Sequence, residues 1–137
     1  MQTNEAAEQA AISAAEKWLA LVDAADYAES WNQASSLLKS GVQTSVLFKR
    51  GISEEQWRST TAAAQTHLGK VESRSLRSKR YAEDLPGEPE GEYVVIEYEA
   101  SFGSKKNGVE KVILTKDQEG EWRVSGYKVI LGTSDIS

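Results

Sequence analysis

The chain is predicted to be α+β, with N-terminal helices packed on a curved four-stranded antiparallel sheet. Two observations carry this. Up to Leu68 the apolar residues recur mostly at helical spacing, and from Lys70 the period is two to the end. Turn signals then divide the second half into four runs of strand length. One domain is expected over residues 5–131, with flexible ends at 1–4 and 132–137.

Residues 5–22 form the first predicted helix. Ala7, Ala11, Ala14, Ala15, Trp18, Leu21 and Val22 share one face, and the alanines allow close approach to a sheet. Asp26 is a predicted N-cap, with Glu29 at capping-box spacing. The helix it opens carries Tyr27, Trp31, Ala34, Leu37 and Leu38, with Gly41 as its stop. Val42 to Arg50 is compatible with a short strand or irregular structure. Ser53-Glu54-Glu55-Gln56 is a second capping box, with Ile52 and Trp57 placed as a hydrophobic staple, and the helix ends at Gly69.

The sheet half opens with a polar strand over residues 70–81, followed by a proline- and glycine-rich turn over 82–91. The strand from Tyr93 to Phe102 is the centre of the fold. Val94, Ile96, Tyr98, Ala100 and Phe102 make its apolar face, and Tyr93, Val95, Glu97, Glu99 and Ser101 the other. Asn107-Gly108 marks a hairpin to a strand over 109–116, with Val112 and Leu114 on one face. Asp117 to Gly120 turns into the last strand, 122–131, where Gly126 suggests a bulge.

The composition excludes several functions. There are no cysteines, so disulfides, thiolate nucleophiles and cysteine metal sites are absent. The net charge of −5 argues against nucleic acid or an anionic membrane as partner. No apolar run approaches the ~20 residues of a membrane span, and no apolar stretch follows the N-terminus as in a signal peptide. Neither phosphate-binding glycine motifs nor a nucleophile elbow occur.

Trp18-Leu19-Ala20-Leu21-Val22-Asp23, followed by Tyr27-Ala28-Glu29-Ser30-Trp31-Asn32-Gln33-Ala34-Ser35, resembles the first signature of a bacterial family, the domain of unknown function four thousand and nineteen. Leu68-Gly69 with Arg74, the segment Leu85-Pro86-Gly87-Glu88-Pro89-Glu90-Gly91-Glu92-Tyr93-Val94-Val95-Ile96, and Trp122-Arg123-Val124-Ser125-Gly126-Tyr127 extend the resemblance from about Ala11 to Tyr127. It implies a cystatin-like roll of the nuclear transport factor two type, and an export signal that places the protein in the periplasm or outside the cell. A cytoplasmic location also fits a cysteine-free chain. The resemblance carries over no activity and no catalytic residues.

The candidate ligand-binding residues are Trp31, Trp57, His67, Tyr98 and Tyr127, which would line the open end of the roll. His67, the only histidine, stands in a last helical turn, where it complements the dipole and could also serve as an acid or base. Asp23, Asp26 and Glu29 are caps before they are a carboxylate cluster. Glu97 and Glu99 fall on the face opposite Tyr98, and no strand-borne acid is expected to point inward. Arg77 and Lys79 are expected to face the acidic residues of 83–92 across a ladder. Tyr93, Val95, Ile113 and Trp122 would form an outer apolar patch open to a second copy of the chain. The reading is a non-enzymatic exported module that binds a small apolar ligand or a protein partner, without cofactor, metal or nucleic acid. The alternative is a small-molecule enzyme with an acid or base in the roll cavity.

Overall fold

A computed structural model describes residues 4–34, 53–83, 85, 91–103 and 108–131. Among the described residues, three helices precede a four-stranded sheet: α1 (Asn4–Asp23), α2 (Tyr27–Gln33), α3 (Glu54–Leu68), β1 (Val71–Ala82), β2 (Tyr93–Phe102), β3 (Gly108–Lys116) and β4 (Trp122–Leu131). The strands pair antiparallel in sequence order, so β1 and β4 are the edges. This is the α+β architecture expected from the change of period.

The first helix lies on the inner face of the sheet. Ala11, Ala15, Trp18, Leu19 and Val22 pack with Val94, Ile96, Tyr98, Val112, Leu114 and Val124 in one core. The alanines contribute no bulk, so tryptophan and leucine can reach the sheet beside them. Val94, Ile96, Tyr98, Ala100 and Phe102 are all buried, as their alternation predicts.

The turn after α1 is a Schellman motif. Ala25 N–H donates to Val22 O and Asp26 N–H to Leu21 O, with Ala25 in the left-handed region at φ 63°. Asp26 then caps α2, accepting from Glu29 N–H. This second helix is shorter than its sequence pattern suggests, because Ala34 already takes extended backbone. Leu37, Leu38 and Gly41, assigned to it, lie outside the described residues. The Ser53 capping box forms with both reciprocal bonds, Gln56 N–H to Ser53 Oγ and Ser53 N–H to Gln56 Oε1. Its proposed staple partner, Ile52, lies outside the described residues, as do most of both termini. Gly69 closes α3 at φ 84°, a conformation that favours glycine.

Bulges decide which side chains face the helices. In β4, Ile113 pairs with Gly126 and Leu114 with Val124, leaving Ser125 as the extra residue at the expected parity switch. In β1, Glu72 and Arg77 are the extra residues. Arg74, Leu76, Lys79 and Tyr81 therefore stand opposite Ala100, Tyr98, Ile96 and Val94, on the inner side.

Two expectations for the sheet change. Arg77 is spent on a bulge, and Lys79 meets Glu8 of α1 at 3.8 Å; Asp84, Glu88 and Glu90 of the acidic turn lie outside the described residues. The outer patch offered to a second copy is largely covered. Tyr93 is 1% and Val95 9% exposed, Gly91 lies against the Tyr93 ring, and Trp122 packs with the inner core. The large apolar residues that are exposed among the described residues are Leu76 and Ile130, on the two edge strands.

Candidate functional site

The candidate site is built where α1, α3 and the sheet meet. Glu110 stands two residues before Val112 on β3, so it shares the inward face, opposite Tyr98 on β2 and Val129 on β4. It is 1% exposed. A buried carboxylate needs partners, and three donors supply them. Arg74 Nε donates to Glu110 Oε1 at 2.5 Å and Arg74 Nη2 to Oε2 at 3.2 Å. The Tyr127 hydroxyl donates to Oε2 at 2.6 Å. The guanidinium also reaches Asp23, the last residue of α1, with Nη1 to Oδ2 at 2.9 Å and Nη2 to Oδ1 at 3.1 Å.

Arg74 thus ties the edge strand to a central strand and to a helix end. Burial works against its charge, but the hydrogen bonds to Asp23 and Glu110, and the charges of both, outweigh it and hold the guanidinium above its ordinary value. The Tyr127 hydroxyl is held well above the usual tyrosine range, first by burial and then by the Glu110 charge and hydrogen bond, with Arg74 opposing.

Beside this network lies a cleft of about 390 Å³. One wall is apolar, from Leu68, Val71 and Phe102; Leu68 and Phe102 belong to a second, smaller core cluster and Val71 packs against it. The other wall is polar, from Asp23, Gln65, Lys70, Glu110 and Tyr127. Gln65 is committed to the fold: its Nε2 donates to Val22 O at 2.7 Å, and its Oε1 accepts from the Tyr27 hydroxyl. A second groove, of about 560 Å³, lies between α1, α2 and the start of β4, with Trp18, Leu21 and Trp122 among its lining residues.

Of the residues singled out from the sequence, the structure brings Tyr127 to the cleft and leaves the others elsewhere. Trp57 is 1% exposed, and its indole N–H donates to Ser30 Oγ at 2.9 Å. Trp18 donates to Ser30 O at 2.9 Å, so one buried serine receives two indoles. The two tryptophan rings lie 5.6 Å apart, and Tyr127 lies 5.3 Å from Trp18. Trp31 is half-buried against the same core. Tyr98 is buried in it, and its hydroxyl has no hydrogen-bond partner among the described residues; burial, with the charges of Glu16 and Glu110, pushes its pKa up to about 12 against the opposing charge of Arg74. His67 is exposed at the end of α3 and lines neither cavity. Among the described residues no cluster of acidic or histidine side chains could hold a metal ion, and no helix is long and apolar enough to cross a membrane.

The central acid of the site, Glu110, was missed from the sequence, although its signal was present. Its parity with Val112 and Leu114 puts it inward, against the expectation that no strand-borne acid would be.

Helices cupped by a curved antiparallel sheet, with a polar cluster at one end, define a roll of the nuclear transport factor two and ketosteroid isomerase type. The fold is shared with a crystal structure from Shewanella frigidimarina NCIMB 400, described as a candidate ketosteroid isomerase, at a TM-score of 0.57 and 14% identity, covering 88% of this chain and 94% of that one. The chain belongs to the family described as protein of unknown function (DUF4019), whose family model matches residues 14–46 and 40–127. No protein of curated function matches it.

Proposed function

We propose that the protein is a non-enzymatic module that binds a small, largely apolar ligand in the cleft between the ends of α1 and α3. The observation that carries this is the cleft itself. Its volume of about 390 Å³ lies within the few hundred to ~1,000 Å³ of ligand sites, with one apolar wall and one polar wall. The fold shared with a candidate isomerase supports a roll that can hold a small molecule.

The alternative of acid–base catalysis has less support. Glu110 and Tyr127 form an acid–tyrosine pair, yet three of the carboxylate's roughly four acceptor positions are taken, two by Arg74 and one by Tyr127, and the residue is buried. A general base needs a lone pair within reach of the substrate proton. The burial of Tyr93 and Val95 weakens the outer sheet face as a route to a protein partner. An exported location belongs to the same proposal, following the family resemblance; fractionation of producing cells tests it.

Saturation-transfer NMR with indole, cyclohexanol and benzyl alcohol tests the binding. The expected result is binding to the wild type that Val71→Trp abolishes, with unchanged circular dichroism, and that Ala14→Trp in the second groove leaves intact. Loss with Ala14→Trp alone would move the site to that groove. No binding by any of the three would end the proposal.

A further inference from the structure

The cleft's electrostatics narrow its ligand. We infer that it takes a small organic cation, an ammonium or guanidinium head on an apolar body; this rests on reading the cleft as a ligand site.

Two helices end on it. Helix α1 finishes at Asp23 and α3 at Leu68, and both residues line the cleft. Each helix C-terminus carries roughly half a negative charge, felt within its last turn. Asp23 and Glu110 add two carboxylates. Against these stand Arg74, locked between the two acids, and Lys70. Lys70 is exposed and forms no ion pair among the described residues, so its ammonium is screened by water. The formal charges cancel, and the two helix ends leave the cleft negative. A cation is the complementary head group.

The geometry offers such a ligand matching contacts. Leu68, Val71 and Phe102 would cover its apolar body. The Tyr127 hydroxyl donates its proton to Glu110, which leaves its oxygen to accept from the ligand. Arg74 already shows that this corner can hold a partly buried cation.

Three probes with one body test the head group: hexylammonium, hexanol and hexanoate, titrated into the ¹⁵N-labelled full chain at low salt. Hexylammonium should shift the amides of Leu68, Gly69, Phe102 and Tyr127 saturably, at least about fivefold more tightly than hexanol, a gap of about 1 kcal/mol, and hexanoate should not bind. Equal or tighter binding of hexanol or hexanoate at those amides would overturn the cationic class while leaving the cleft a ligand site. If none of the probes moves them, the ligand-site reading falls as well. Lys70→Gln, a change at an exposed side chain, should tighten hexylammonium about two- to threefold, the size of one screened surface charge. An unchanged or weaker affinity in that variant would overturn the electrostatic reading.

Discussion

Arg74 and Glu110 show how one residue pair can join three elements. Glu110 is buried on β3, and Arg74 crosses to it from the edge strand while holding Asp23 on α1. Removing one partner of such a pair is costly because the other charge stays buried, whereas replacing both with apolar groups is often neutral. Arg74→Met should therefore lower the unfolding free energy by about 3–5 kcal/mol, and adding Glu110→Leu should recover most of it. Urea denaturation of the two singles and the double measures both numbers. A single variant costing under about 1 kcal/mol would show the pair to be hydrated in solution.

The local signals act at the scale of the element. The capping box at Ser53 forms as its spacing dictates, because both of its bonds lie within one turn. The end of α1 is less typical. Its Schellman motif places Ala25 in a left-handed conformation that glycine adopts without a Cβ clash. Ala25→Gly should raise stability by about 0.5–1 kcal/mol, the strain relieved less the added freedom of the unfolded chain. A higher urea midpoint with unchanged slope is the expected result, and a lower midpoint would show that the left-handed alanine is unstrained. The bulges of β1 and β4 belong to this scale too. The glycine at 126 announced one of them, while nothing in the polar run of β1 announced the two at Glu72 and Arg77.

Alkaline stability is a property of the whole molecule. Tyr98 and Tyr81 have their pKa pushed up to about 12, by burial first and by nearby carboxylates, and Tyr127 is raised as well. In the unfolded chain tyrosine ionises near 10.0. Above that pH the unfolded state gives up protons that the folded state keeps, so the sign is destabilising as pH rises. The tyrosine contribution is fully present below pH 10 and is lost as pH rises through about 12. Thermal unfolding followed across that window should show a steep fall in midpoint. Tyr98→Phe removes a buried hydroxyl without a partner, so it should raise stability by about 1 kcal/mol near neutrality and flatten the alkaline fall. A variant that is less stable than wild type would mean that the hydroxyl has a partner in solution.

The sequence by itself determined the class of fold, the order of the described elements, the N-caps of α2 and α3, the glycine that ends α3, and the inward face of β2. Those features rest on interactions between residues a few positions apart, which a period or a motif records directly. The inward position of Glu110 was also written there, in its parity with Val112 and Leu114. Its charge argued the other way, because a buried acid is unexpected until its partners are known. Only the tertiary structure decided those partners. Arg74 lies 36 residues from Glu110 and 51 from Asp23, and Gln65 lies 43 from Val22. It likewise turned Trp57 from a ligand residue into a core one, since the indole finds Ser30 27 residues away. Contacts at such separations depend on bulges and crossing geometry, to which local periodicity is blind.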